Sequence, residues 1–367
     1  MEILVMKVAY VDPIFWRDKR VFLTGHTGFK GGWLSLWLSS MGAKVTGYAL
    51  APITEPNFYE SAGIANVINY SYTADIRDLK RLSSAINAAD PEIVIHMAAQ
   101  PLVRHSYDNP TETYATNVMG TVHILDCIRS VKSVRATVVI TTDKCYENKE
   151  WFWGYRENEP MGGYDPYSSS KGCAELVVSA FRQSYFSDAQ YSQHHNAIAS
   201  ARAGNVIGGG DWSQDRLIPD ALKAFETKTP LMIRNPLAIR PWQHVLEPLS
   251  GYLVLAQSLY KEGTKFSGAW NFGPRDEDVR SVQEVINLLI QALPSSAKWG
   301  RDESEQPHEA YSLKLDCSKA KEYLGWMPKW SLETAIQNIS EWQKAFLAKE
   351  DMQKISLQQI HNYQASK

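Results

Sequence analysis

Residues 20–31 read RVFLTGHTGFKG, a short apolar run followed by three glycines, Gly25, Gly28 and Gly31. The run is typical of a buried strand, and residues 33–41 carry apolar side chains at helical spacing. Between strand and helix, such glycines permit a tight turn, close approach to a pyrophosphate and close helix packing, while the helix N-terminus attracts phosphate. The pattern predicts a dinucleotide site, because a ligand-free glycine turn would not need this context.

Strand-like and helix-like segments then alternate up to about residue 203. Further strands are predicted at 43–50, 92–96, 136–141 and 196–203, and helices at 79–89, 111–131 and 166–185. Such alternation indicates an α/β fold, a Rossmann-type doubly wound parallel sheet with helices on both faces. Prolines after about residue 208 indicate a smaller, irregular C-terminal substrate-binding α/β part.

The same pattern divides the chain into two parts. We expect residues 18–204 to form the dinucleotide-binding domain, with the catalytic residues, and residues 205–345 to be mainly substrate-binding, with some segments returning to the sheet. The last stretch, residues 349–367, is polar and is expected to be loosely ordered.

Composition excludes several classes of protein. The net charge of -2 does not suggest a nucleic-acid partner, and no apolar run approaches the roughly 20 residues of a membrane span. The N-terminus lacks the features of a secretory signal. Four scattered cysteines, without a C-x-x-C pair, indicate neither disulfides nor a metal site. We therefore expect a cytoplasmic enzyme without a metal.

Two further segments fit the dinucleotide site. Asp75-Ile76 follows a possible strand, so Asp75 could face an adenine amino group, although a loop or helix-capping role is an alternative. Residues 96–100, HMAAQ, end a buried strand with the small residues Ala98 and Ala99. Residues 48–52 carry neither the acid that holds a ribose 2′-hydroxyl nor an arginine for a 2′-phosphate, so the residues alone leave NAD and NADP open.

The segment YSSSK places Tyr167 and Lys171 four residues apart, on one face of a predicted helix. An ammonium there is expected to lower the pKa of the tyrosine from about 10, so that it serves as a base near neutral pH. A surface pair of no function is the alternative, which the upstream glycine turn disfavours.

The triplet Thr142-Asp143-Lys144 follows the predicted strand 136–141, where α/β sheets build their sites. Thr142 is expected to hydrogen-bond a substrate hydroxyl beside Tyr167. Asp143 would be a general acid if its pKa is raised, and Lys144 a base if it is desolvated. A turn or helix cap remains the alternative for Thr-Asp.

Together, the glycine turn, Thr142 and the Tyr167/Lys171 pair resemble the extended short-chain dehydrogenase/reductase superfamily from about residue 20 to 342. The triplet resembles its nucleotide-sugar 4,6-dehydratase branch, with Lys144 where many members have Glu. The segments GHTGFKGGWLSLWL, TTDKCYENKEWFWGYRE, GNVIGGGDW and RNPLAIRPWQHVLEPLSGYL are similar to members that act on CDP-glucose. His26 and Lys30 make the glycine turn bulkier and more basic than is usual there.

The resemblance implies a hydro-lyase that uses and regenerates NAD. Tyr167 would take the proton of the sugar 4-hydroxyl during oxidation at C4. Asp143 would protonate the leaving 6-hydroxyl, while Lys144 either removes the C5 proton or stabilises the enolate. The implied cofactor residues are Gly25, His26, Thr27, Gly28, Phe29, Lys30, Gly31, Asp75, Ile76, Ala98, Ala99, Gln100, Asn117, Tyr167 and Lys171.

For the substrate diphosphate, the resemblance implies a set of polar side chains. These are Arg104, Asn205, Arg216, Arg240, Arg275 and His308. Any one arginine could instead be a solvated surface charge. Trp212 and Trp242 would either stack on the base or pack in the core.

Other readings stay open. They are a dTDP- or GDP-sugar 4,6-dehydratase, a C4 epimerase, an alcohol dehydrogenase that releases NADH, and a cofactor-sensing regulator, which would not need the Tyr167/Lys171 pair. The resemblance also implies a homodimer or homotetramer, with the helices at 111–131 and 166–185 in the interface, and a place in bacterial deoxysugar and O-antigen (lipopolysaccharide) synthesis.

Overall fold

The computed structural model describes residues 10–293, 298–304 and 310–366. Its strands are β1 (Arg20–Thr24), β2 (Lys44–Ala49), β3 (Tyr70–Thr73), β4 (Ile93–His96), β5 (Ala136–Ile140), β6 (Ala197–Ala203), β7 (Val206–Ile207), β8 (Leu231–Ile233), β9 (Ile239–Pro241), β10 (Gln243–His244), β11 (Gly268–Phe272), β12 (Val279–Ser281) and β13 (Trp299–Arg301).

The α-helices surround these strands. They are α1 (Pro13–Trp16), α2 (Phe29–Ser40), α3 (Phe58–Ser61), α4 (Leu79–Ala89), α5 (Val103–Asp108), α6 (Pro110–Tyr114), α7 (Gly120–Ile128), α8 (Pro166–Ser184), α9 (Tyr191–His194), α10 (Leu217–Thr227), α11 (Leu246–Glu262), α12 (Val282–Ala292), α13 (Leu332–Leu347) and α14 (Met352–Ala365).

A parallel sheet forms the centre of the molecule. Among the described residues, its seven strands lie in the order β11-β6-β5-β4-β1-β2-β3, and every pair is parallel. The sheet buries both faces: Val21 and Leu23 of β1 pack into a core with α2 and α11, whereas Phe22 packs on the other side with α4 and α7. The predicted Rossmann-type fold is confirmed, and β11 is a later segment that returns to the sheet.

The C-terminal part is built from small pieces. The pairs β7–β10, β9–β12 and β8–β13 form separate two-stranded sheets, and α10, α12 and α13 share a third apolar core with β8. This agrees with the predicted irregular part, although the domain boundary at residue 204 stays a prediction. Within the described ranges, no helix is long and apolar enough to span a membrane.

The helix predicted at 111–131 is present, and residues 110–128 are helical without a break. What the sequence did not predict is the π-turn over Ala115–Met119, which joins α6 and α7. The π-turn contains the buried Asn117, which accepts a hydrogen bond from the Gln100 backbone N–H (2.8 Å) and donates to Ser170 Oγ (2.8 Å). Single π-turns inside α-helices are frequent at functional sites.

The expectation that the polar C-terminus is loosely ordered was wrong, because residues 352–365 form the helix α14. Tyr363 is buried on it, and its hydroxyl donates to the buried carboxylate of Glu247 at 2.7 Å. Lys329 Nζ donates to the last carbonyls of the helix, including Ser366 O at 2.6 Å, which satisfies groups that a helix C-terminus leaves free. A few buried contacts thus order a stretch whose composition is polar.

Tyr363→Phe tests that anchorage. The change leaves the buried Glu247 carboxylate without one of its donors, so we expect the free energy of unfolding in urea to fall by about 1–3 kcal/mol. Tyr323→Phe is the matched control, because the Tyr323 side chain is 71% exposed. Equal unfolding midpoints for the two variants would show that the Tyr363–Glu247 contact does not hold α14.

Candidate active site

One large cavity, of about 1550 Å³, lies at the carboxyl ends of the central strands. Its wall runs from the glycine turn after β1, past the ends of β4, β5 and β6, to α10 and β8 of the C-terminal part. Parallel α/β sheets place their ligand sites at this edge. The cavity therefore brings the predicted dinucleotide, catalytic and substrate segments together.

The glycine turn is shaped for close approach of another backbone. Gly25 has a φ of +77°, and a Cβ there would lie 2.8 Å from Ala98 N. A Cβ on Gly31 would lie 2.1 Å from Gly25 O. Gly28 is the N-cap residue of α2 and has no side chain to accept a hydrogen bond. The first backbone N–H groups of that helix, at the cavity wall, therefore have no side-chain acceptor. These features fit a bound dinucleotide phosphate.

Most of the predicted cofactor residues line this cavity. They are Gly25, Thr27, Gly28, Phe29, Lys30, Gly31, Asp75, Ile76, Ala98, Ala99, Gln100, Tyr167 and Lys171. Asp75 forms a two-pronged ion pair with Arg77, and that hydrogen bonding lowers the pKa of the Asp75 carboxyl. An ionised carboxylate that can accept hydrogen bonds therefore lines the part of the cavity predicted to hold the dinucleotide.

Two predicted cofactor residues do not line the cavity. His26 is buried against Gly47, and its Nε2 bonds Ser71 Oγ at 2.7 Å. Burial lowers its pKa to about 4, so the ring is neutral and packs the turn from behind. Asn117 lies one layer further in, where it holds the Gln100 backbone. The side chains of both residues support the wall, and their place among the cofactor residues stays a prediction.

Lys30 adds positive charge to the cavity. It is half-buried on the first turn of α2. Burial, together with the charges of Arg216 and Lys171, lowers its pKa to about 7, and Asp143 opposes them. The glycine turn and the catalytic segments therefore share one electrostatic environment, which favours an anionic ligand.

The catalytic loop follows β5 as a short 3₁₀ turn over Asp143–Cys145. Thr142 Oγ1 donates to Asp143 Oδ1 at 3.0 Å. The other carboxyl oxygen, Oδ2, is buried with no hydrogen-bond partner in the described chain. Burial raises the pKa of Asp143, although Lys144, Thr142 and Arg240 oppose it. A raised pKa and a carboxyl oxygen without a partner, on a residue that lines the cavity, suit a general acid.

The loop lies opposite the first turn of α8, which Asp165 caps and Pro166 begins. Tyr167 and Lys171 of this helix are both buried and line the cavity. The expected lowering of the tyrosine pKa by Lys171 was wrong. Burial raises the pKa of Tyr167 to about 12, with Thr142 and Arg216 as the groups that lower it. The lysine ammonium instead donates to the Ile140 carbonyl at 3.2 Å.

At the substrate end, the predicted residues Arg104, Asn205, Arg216 and Arg240 line the cavity. Arg216 lies 3.3 Å from Asp211, so it is held at the wall by an ion pair. Trp212 and Trp242 also line it, but the Trp242 ring is buried with its N–H on Arg280 O, which favours its packing role.

One predicted substrate residue that the structure describes, Arg275, is not brought to this wall. Arg275 lies on the surface, 3.5 Å from Glu277 and within reach of Pro328 O, because it caps a short turn after β11. His308 lies outside the described residues.

Some functional positions were missed from the sequence. Thr24 Oγ1 accepts from the backbone N–H groups of Met97 and Ala98, at 3.0 Å each, and bonds His96 Nδ1 at 2.7 Å. It fixes the end of β4 against the glycine turn. A polar residue that ends an otherwise apolar strand was the signal available for it.

Comparison with known proteins agrees with this geometry. The family model described as GDP-mannose 4,6 dehydratase matches residues 22–339. The chain is 57% identical over 356 residues to CDP-glucose 4,6-dehydratase of Salmonella typhimurium, covering 97% of this chain and 99% of that protein. A UDP-glucose 4-epimerase of Halalkalibacterium halodurans is 28% identical, with 88% of this chain and 95% of that protein covered.

Among solved structures, dTDP-glucose 4,6-dehydratase of Bacillus anthracis in complex with NAD superposes with a TM-score of 0.72, at 20% identity and with 91% of this chain and 99% of that chain covered. That likeness bears on the fold, which is shared. The match of the family model over most of the chain and the near full-length similarity to the Salmonella enzyme carry the classification: the chain belongs to the GDP-mannose 4,6 dehydratase family of nucleotide-sugar enzymes.

Proposed function

We propose that the chain dehydrates CDP-D-glucose to CDP-4-dehydro-6-deoxy-D-glucose, with NAD as its cofactor. The observation that carries the proposal is the 57% identity to the Salmonella typhimurium CDP-glucose 4,6-dehydratase over nearly the whole of both chains. The cavity supports this proposal, because two groups of candidate catalytic residues line it. They are Tyr167 with Lys171, and Thr142 with Asp143 and Lys144.

NAD would be held by the glycine turn, by Asp75 and by the Ala98–Gln100 wall, and when bound it supplies hydride acceptance and return. The chain itself handles the protons. Tyr167 receives the proton of the sugar 4-hydroxyl, and Thr142 and Arg216 favour its ionised form. Lys171, whose pKa burial lowers to about 8, provides a cation beside it that substrate binding can draw toward the phenol.

The opposite loop carries out the loss of water. Oxidation at C4 makes the C5 proton acidic. Asp143, whose pKa burial raises, gives its proton to the departing 6-hydroxyl. The C5 proton passes to Lys144 or, if Lys144 only stabilises the enolate, to a water. One water departs, and the C5 proton is restored when the C6 position is reduced. The cofactor ends as it began, so the reaction has no net redox change.

The diphosphate would lie between the cations of the cavity. Arg216 and Arg240 are the proposed contacts, with Asn205 beside them and Arg104 at the rim. Arg104 lies 3.6 Å from Asp215. Arginine forks match phosphate oxygens with paired hydrogen bonds, so this wall suits a nucleoside diphosphate.

We also propose that the protein forms a homodimer or homotetramer and works in the cytoplasm. Tyr114, Met119, Leu176 and Tyr185 are exposed large side chains on α6 to α8 and the residue that follows α8, and large exposed apolar patches mark interfaces. The cysteines that the structure describes are free, which suits a reducing compartment. The product class is one that bacterial deoxysugar and O-antigen synthesis would use.

A nucleotide-sugar panel tests the proposed reaction. The enzyme is incubated with NAD and with CDP-, dTDP-, UDP- or GDP-linked hexoses, and the base-induced absorbance of a 4-keto sugar is followed. We expect CDP-glucose to give the fastest turnover and no net NADH. Faster turnover of another nucleotide would contradict the base assignment. Net NADH would indicate an alcohol dehydrogenase, and a C4 epimer without loss of water would indicate an epimerase.

Lys144 has two possible roles that substitutions separate. Lys144→Ala is expected to slow both turnover and solvent deuterium exchange at C5 by roughly 10²- to 10⁴-fold. Lys144→Arg keeps the charge but cannot act as a base, so it restores turnover only if the cation stabilises the enolate. Lys265→Ala, a change at an exposed and distant lysine, is the control. Undiminished exchange and turnover in Lys144→Ala would exclude both roles.

A further inference from the structure

A buried carboxylate lies one helical turn beyond Lys171 and outside the cavity wall. Glu175 shares a face of α8 with Tyr167 and Lys171, since the three are spaced four residues apart. Its carboxylate accepts hydrogen bonds from Thr141 Oγ1, from Ser200 Oγ at 2.7 Å and from Arg202 Nη2 at 2.8 Å. We call these four residues, Thr141, Glu175, Ser200 and Arg202, the Glu175 network.

The network extends across the sheet. The second Arg202 nitrogen donates to Tyr146 Oη at 2.8 Å, and the guanidinium lies 4.8 Å from the centre of that ring. Tyr146 Oη in turn donates to Asn271 Oδ1 of β11 at 2.7 Å. One buried chain of contacts thus ties the catalytic helix to both sides of the catalytic loop, at Thr141 before it and at Tyr146 after it.

Stability alone does not explain this arrangement. Each side chain of the Glu175–Arg202 pair is only 4% exposed. Burying two charges costs desolvation free energy, and well-packed apolar residues often serve stability as well or better. Hydrogen bonds and the Arg202 charge overcome burial and keep the pKa of Glu175 below its ordinary value, so a negative charge is maintained at this point.

The Glu175 charge lies one turn of α8 from the catalytic lysine, Lys171. The groups that interact with Lys171 are Glu175 on its own helix, Cys145 on the loop, Lys30 on α2 and His96 on β4. Burial is the main cause that lowers the pKa of Lys171 to about 8, and Glu175 and Cys145 oppose it. His96 is kept neutral by burial, so Glu175 is the charged acid of this group that favours the ammonium.

We propose that Glu175 is a positioning residue: it fixes the Thr142–Asp143 loop against α8 through Thr141, and it places a negative charge one helical turn from Lys171. The inference rests on the proposed dehydration. Thr141 lies immediately before Thr142, whose hydroxyl bonds Asp143. A shift of Thr141 would therefore move both the Thr142 hydroxyl beside Tyr167 and Asp143, the proposed general acid.

Two hydroxyls on the same carboxylate provide a matched test. Thr141→Val and Ser200→Ala each remove one hydrogen bond to Glu175, but only Thr141 continues into the catalytic loop. We expect Thr141→Val to lower kcat by roughly 10- to 100-fold with little change in KM. Ser200→Ala is expected to keep kcat within about threefold, because that bond reaches β6 and no catalytic group. Equal kcat values for the two variants would overturn the proposal.

Glu175→Gln tests the charge. Removing the anion lowers the pKa of Lys171, so the alkaline loss of kcat is expected to move to lower pH by roughly one unit. If Glu175→Gln does not fold, the double variant Glu175→Gln/Arg202→Gln is used in its place. The double variant leaves neither buried charge of the pair without its partner. Folding is checked by near-ultraviolet circular dichroism and NAD affinity. An unmoved alkaline limb would overturn the proposal, whereas a wild-type chain that does not convert CDP-glucose would instead overturn the proposed function.

Discussion

The parallel register of β1, β4, β5 and β6 is the constraint on which the rest of the molecule depends. Because these strands run in one direction, their last residues meet at one edge of the sheet. The glycine turn, the Ala98 wall and the Thr142–Asp143 loop are continuations of those strands. The backbone hydrogen bonds of the sheet therefore place groups that are more than 100 residues apart within one cavity, and the glycines give the room for a cofactor between them.

Burial then gives the side chains of this cavity their different protonation states. It raises the pKa of Asp143, which favours the protonated acid, and raises that of Tyr167 to about 12. It lowers the pKa values of Lys30 and Lys171 to about 7 and about 8. The shifts of Asp143, Lys30 and Lys171 move their pKa values toward neutrality, as acid–base chemistry there requires, whereas the pKa of Tyr167 moves away from it. Supporting contacts outside the wall, above all Glu175 and Arg202, hold these groups in place.

Local patterns predicted the parts of the fold and site that local physics determines. The glycine spacing, the alternation of strands and helices, and the Tyr167/Lys171 spacing each depend on neighbours in sequence. The π-turn at Asn117, the inward packing of His26 and the order of α14 depend on partners such as Ser170, Ser71 and Glu247, which are distant in sequence. The pKa of Tyr167 went the opposite way because burial, which sequence does not measure, outweighed the groups that lower it, Thr142 and Arg216.

The central claim is that Tyr167 serves the oxidation and Asp143 the elimination. It is tested most directly by a single turnover of CDP-glucose with NAD in Tyr167→Phe and Asp143→Asn, following the near-ultraviolet absorbance of the reduced nicotinamide. The account predicts that reduced cofactor builds up in Asp143→Asn, where oxidation proceeds and loss of water is slow, and does not form in Tyr167→Phe. The same time course in both variants, or build-up in Tyr167→Phe alone, would contradict it.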